Sequence, residues 1–233
     1  MNKTKIPYCD YTWNPYTGCT PCSPGCDNCY SQNILRRFKK PQTPMFHPER
    51  INDPLKVINP STIFVGSMTD MFHSEINPDP VFDVIGKTPN HTYLILTKRA
   101  INMEDYLRSH SLSRYRNVFF GVTAENQYYA DQRIEDLVSI EGINRWVSVE
   151  PLLGPIEIRP HLMRGLDWVV VGGESGPKAR PCCVEWIENI STACENAGVP
   201  YYFKQWGAKT DKNATNISDN ITRREPYLPL EKG

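Results

Sequence analysis

The chain has 233 residues, 39% of them hydrophobic, and its 26 Lys and Arg balance 26 Asp and Glu. That length suits one large domain with a well-buried core, and a zero net charge gives the whole molecule no electrostatic pull toward nucleic acid or membrane. No segment has the roughly eighteen apolar residues of a membrane span, and the N-terminus MNKTKIPYCDYTW lacks the apolar run of a signal peptide, so the expected location is cytoplasmic.

Residues 1 to 18 are polar and aromatic and suit a short strand or irregular lead into TGCTPCSPGCDNCY at 17–30, which holds four of the eight cysteines. In a reducing compartment such a cluster points to metal or catalysis rather than to disulfides. Two ligand triplets run through it: Cys22, Cys26 and Cys29 as C-x3-C-x2-C, and Cys19, Cys26 and Cys29 as C-x6-C-x2-C. Three thiolates would hold three irons of a 4Fe-4S cluster and leave the fourth open, whereas four would close a zinc site or a fully ligated cluster. Gly18, Pro21, Pro24 and Gly25 discourage regular structure in the loop. The next stretch, YSQNILRRFKK, is expected to be a helix with Tyr30, Ile34, Leu35 and Phe38 on one face.

From there to residue 206 short apolar runs alternate with amphipathic segments. The runs lie at 61–65, 92–96, 117–120, 145–149, 167–171 and 200–203, and the helices between them are expected near 79–88, 102–110, 126–140 and 184–197. Core stripes are expected at Ile134, Leu137 and Val138, and at Ile187, Ile190, Cys194 and Ala197. This pattern predicts an α/β fold: a single-domain, partial β/α barrel of six or seven parallel strands over residues 1–207, followed by a C-terminal tail or appendage at 208–233. Each run ends in polar residues: GSMTD, TKR, GVTAEN, EP, GGESG and KQW. In a β/α barrel these ends share the C-terminal rim, where active sites are kept.

The ordered set TGCTPCSPGCDNCYS, FVGSMTDMFH, YLILTKR, FFGVTAENQ, SVEPLLGPI, VVVGGESGP and FKQWG resembles the phage-type three-Cys-motif family, itself of unknown function, from about Trp13 to Gly207. That family is similar to radical S-adenosylmethionine (radical SAM) enzymes and, more distantly, to the spore photoproduct lyase branch. The resemblance implies a 4Fe-4S cluster on Cys19, Cys26 and Cys29, with SAM on the open iron. Its expected activity is reductive cleavage of SAM to a 5'-deoxyadenosyl radical that attacks a small-molecule or nucleotide substrate, using an outside electron donor. The family carries an apolar residue at the place of Cys22, so the extra thiol makes Cys22 a rival to Cys19.

On that reading Ser67 and Asp70 meet the SAM ammonium, Lys98 or Arg99 meets its carboxylate, and Thr123 and Glu125 reach its ribose. Glu150 ends its strand at Pro151, and Gly172 and Gly173, with Glu174 beside them, let backbone approach a ligand closely. The alternative reading is a zinc or closed-cluster protein in which Cys22 joins the other three, with nucleic acid as its candidate partner.

Overall fold

The structure is a computed structural model describing residues 1–111 and 115–208; apart from Ala208, the expected tail at 208–233 lies outside the described residues. It is mixed α and β, with a mostly parallel sheet of eight strands. The chain divides into two compact units, residues 1–121 with 140–144, and residues 122–139 with the described residues from 145 onward.

The first unit opens with β1 (Asn2–Lys3), which runs antiparallel to β2 (Tyr11–Trp13). β2 lies parallel to β5 (Thr62–Val65), which lies parallel to β6 (Thr92–Thr97). A separate antiparallel pair, β3 (Tyr16–Thr17) and β4 (Met45–Phe46), straddles the cysteine loop and the helix after it. β5 is buried at every position, so both its faces are covered and its TIFV run is continuous rather than alternating. α2 (Asp79–Lys87) turns Val81, Phe82, Val84 and Ile85 inward, and Phe82 packs on Tyr106 of α3 (Ala100–Arg108) with ring centroids 5.1 Å apart. Each such fully buried side chain contributes about 1.5–3 kcal/mol.

The helix after the loop departs from its expected face. In α1 (Tyr30–Arg37) only Leu35 of the expected apolar stripe is buried, together with Ser31 and Gln32. Two polar tethers explain this: Ser31 Oγ donates to the Met68 carbonyl at 3.1 Å, and the Gln32 amide donates to the Cys19 carbonyl. They turn that side of the helix inward and leave Ile34 and Phe38 outside, while Tyr30, also exposed, donates its hydroxyl to the Ser67 carbonyl.

β7 (Val118–Thr123) begins in the first unit and ends in the second, running three residues past its expected end. In the second unit follow α4 (Gln127–Ser139), β8 (Asn144–Val149), α5 (Pro160–Met163), β9 (Trp168–Gly172), α6 (Val184–Ala197) and β10 (Tyr201–Gln205). Trp146 and Trp168 face each other in register across β8 and β9 and stack 5.3 Å apart, both buried. α6 buries Ile187, Ile190 and Cys194 and stops where Gly198 turns left-handed at φ 69°, a conformation that favours glycine. The large sheet has the order β1-β2-β5-β6-β7-β8-β9-β10, which follows the chain apart from the β3–β4 pair.

Candidate functional site

In the first unit the cysteine loop is tied over the carboxyl ends of β5 and β6. The Gly18 amide donates to the Met68 carbonyl at 3.0 Å, and Thr69 Oγ1 donates to the Gly18 carbonyl. Gly18 itself sits at φ +94°, and a Cβ there would lie 2.0 Å from the Thr43 carbonyl oxygen. Gly18→Ala combines left-handed strain with a backbone clash and is expected to cost about 2–4 kcal/mol, read as a lower urea midpoint. An unchanged midpoint would show that the loop base yields.

The loop is then clamped by an arginine. Arg99 Nη1 lies 3.6 Å from Cys19 Sγ and 3.0 Å from Asp70 Oδ2, while Nη2 donates to the Thr20 carbonyl at 2.8 Å. Asp70, 5% exposed, also accepts from Thr97 Oγ1 at 2.6 Å, the Lys98 amide at 3.0 Å and the Phe72 amide at 3.1 Å. Its carboxylate is therefore occupied by the protein's own donors. Thr20 Oγ1 meets His73 Nε2 at 2.8 Å, giving the loop another hold. Ser67 Oγ pairs with the Asn14 amide at 3.0–3.2 Å, and Asn14 Oδ1 also accepts from the Met68 amide.

The thiols differ in environment. Cys22 is exposed, whereas Cys19, Cys26 and Cys29 are half-buried. Burial pushes the Cys19 thiol up and the Asp70 charge adds to this, while Arg99 opposes both. Cys26 is brought down to about 5 by a hydrogen bond from Cys22, against burial and with help from the Lys98 charge. Among the described residues no three His, Cys, Asp or Glu side chains are gathered closely enough to hold a single metal ion.

The second unit holds the other expected residues. Thr123 is buried at the end of β7, and its carbonyl accepts from Arg133 Nη1 at 2.7 Å. The same nitrogen donates to Glu125 Oε2 at 2.7 Å, and the guanidinium lies 4.0 Å over the Tyr129 ring. Glu125 is fully buried and its other oxygen, Oε1, has no hydrogen bond. Glu150 pairs with Lys204 at 3.1 Å, and Glu174 accepts from the Arg180 amide at 2.8 Å and from Arg180 Nε at 3.0 Å.

The glycines of GGE are closely packed. A Cβ on Gly172 would meet Glu150 Oε1 at 2.5 Å, and one on Gly173 would meet the Gly207 nitrogen at 2.3 Å. Both glycines leave room for the chain's own groups.

The structure thus gathers Cys19, Ser67, Asp70, Lys98 and Arg99 with the loop in one unit, and Glu150 with Gly172 in the other. Sequence reasoning missed Asn14, Thr20, His73 and Arg133. Asn14 follows Trp13 directly off β2, and that position after a strand is the signal that could have found it. A family model described as a protein of unknown function (DUF5131) matches residues 3–226. No curated protein and no solved structure matches the chain.

Proposed function

We propose, for a chain that belongs to the DUF5131 family of proteins of unknown function, that it is a radical SAM-type enzyme whose Cys19, Cys26 and Cys29 hold a 4Fe-4S cluster with SAM beside it. The observation that carries this reading is the thiol loop clamped by Arg99 over the carboxyl ends of β5 and β6, the ends at which β/α barrels keep their sites. The donor set fits a cluster: thiolates need nearby positive charge, and Arg99 supplies it at Cys19 while Lys98 acts on Cys26. A sheet order that follows the chain without reversal suits a partial β/α barrel, the architecture belonging to this reading.

The chemistry supplied by the bound pair is hydrogen abstraction through reductive cleavage of SAM. The chain's own residues bind, orient and shield. Ser67 Oγ, held by Asn14, would accept from the SAM ammonium. Asp70 acts as a positioning residue that aims Arg99 at the loop. In the second unit Thr123 and Glu125 share Arg133, and Glu125 Oε1, buried without a hydrogen bond, has an acceptor site to offer. The substrate class proposed is a nucleobase or nucleotide, following the likeness to a DNA-lesion enzyme.

Anaerobic reconstitution with iron and sulfide tests this. The expected result is about four irons per chain and a reduced cluster whose paramagnetic spectrum changes when SAM is added. Stoichiometric zinc without iron would move the conclusion to a closed structural site.

A further inference from the structure

The helix that leaves the cysteine loop presents an exposed apolar stripe with a cationic end. Tyr30, Ile34 and Phe38, each four residues from the next, are 52%, 40% and 62% exposed. Arg36, Arg37, Lys39 and Lys40 follow on the same exposed segment, and no acidic residue occurs from Asn28 to Pro48. In a chain of zero net charge this is a local imbalance. α1 is also one body with the loop, because Cys29 is its N-cap residue and Gln32 donates to the Cys19 carbonyl.

A second, independent feature marks the same place. α1 ends with the Lys40 amide bonded to the Leu35 carbonyl at 2.9 Å and the Lys39 amide bonded to the Arg36 carbonyl at 3.1 Å. That double closure puts Lys39 in the left-handed region at φ 51°, where glycine is usual. Among the described residues Lys39 is the only non-glycine residue with positive φ. Backbone strain kept at one position is a mark of functional sites, and here it keeps a fourth cation in the row.

We propose that this face of α1, Tyr30, Ile34 and Phe38 with Arg36, Arg37, Lys39 and Lys40, docks a small acidic one-electron carrier protein that reduces the cluster. This rests on the cluster reading above. Charge complementarity selects the partner: an apolar centre with a cationic rim suits a transient complex with an acidic protein. A nucleic acid backbone would call for cations spread along its track, whereas these sit at one end of the stripe. The face begins at Tyr30, the residue directly after Cys29.

The test uses the full chain and an acidic flavodoxin as probe. Binding is read from flavin fluorescence, which needs no cluster, and cluster reduction is timed separately with flavodoxin hydroquinone and with dithionite. Arg37→Glu with Lys40→Glu is expected to weaken flavodoxin binding at least about tenfold at low salt and to slow its reduction of the cluster similarly. Dithionite reduction stays unchanged. Phe38→Ser is expected to weaken binding without altering its salt dependence, and Lys39→Gly to raise the unfolding midpoint while binding falls by about two- to threefold.

Equal flavodoxin binding and reduction by the charge-reversed and parent chains would overturn the docking face. So would a charge-reversed chain that loses affinity only for a single-stranded oligonucleotide. Charge-sensitive flavodoxin binding by a chain that takes up no iron would uphold the docking face and remove the cluster reading.

Discussion

Cys19→Ala is expected to lose the capacity to hold about four irons per chain after anaerobic reconstitution, whereas Cys22→Ala keeps it. Cys19 carries the hold of the site: its amide donates to the Gln42 carbonyl at 2.7 Å, its carbonyl accepts from Gln32, and Arg99 reaches its sulfur. Cys22 is exposed; its thiol bonds Cys26, and it also acts electrostatically on Arg99. A ligand fixed from three sides costs less entropy to immobilise than one on an exposed turn. Iron analysis of both variants decides it, since iron lost from Cys22→Ala and kept by Cys19→Ala would hand the ligand position to Cys22.

Asp70→Ala is expected to destabilise the chain by about 3–5 kcal/mol, the usual cost of leaving a charge buried without its partner. Arg99 would lose its carboxylate at 3.0 Å, and the amides of Phe72 and Lys98 would lose their acceptor. That is a large share of the roughly 5–15 kcal/mol that holds a folded domain. Asp70→Asn preserves the shape and an acceptor oxygen and should cost less. The midpoint of urea unfolding reads the difference, and a change below about 1 kcal/mol for Asp70→Ala would show that Arg99 finds another acceptor. Iron uptake should fall in both variants, because the cation facing Cys19 is no longer aimed.

The long amphipathic elements were legible in the sequence because burial on one side imposes a period. α6 was expected at 184–197 and spans Val184–Ala197, and α2 differs from its expected range by one residue. The pairs made by β1 and β4 were not legible, since two residues carry no period to read. α1 misled because polar side chains can outrank apolar ones when they carry the tethers: Ser31 and Gln32 won the inner side over Tyr30 and Phe38. For the site, residue type singled out Cys19, Ser67 and Asp70 but gave no means of separating a residue that meets a ligand from one that holds a neighbour in place. Gly172 shows the same limit, because only coordinates reveal that its missing side chain makes room for Glu150.

The sheet's chain-following order bears on how the protein is made. Synthesis releases the N-terminal part first, and each strand after β5 can add to an edge that already exists. The contacts described for the cysteine loop come from residues no later than Arg99. The loop can therefore be locked while more than half of the polypeptide is still on the ribosome.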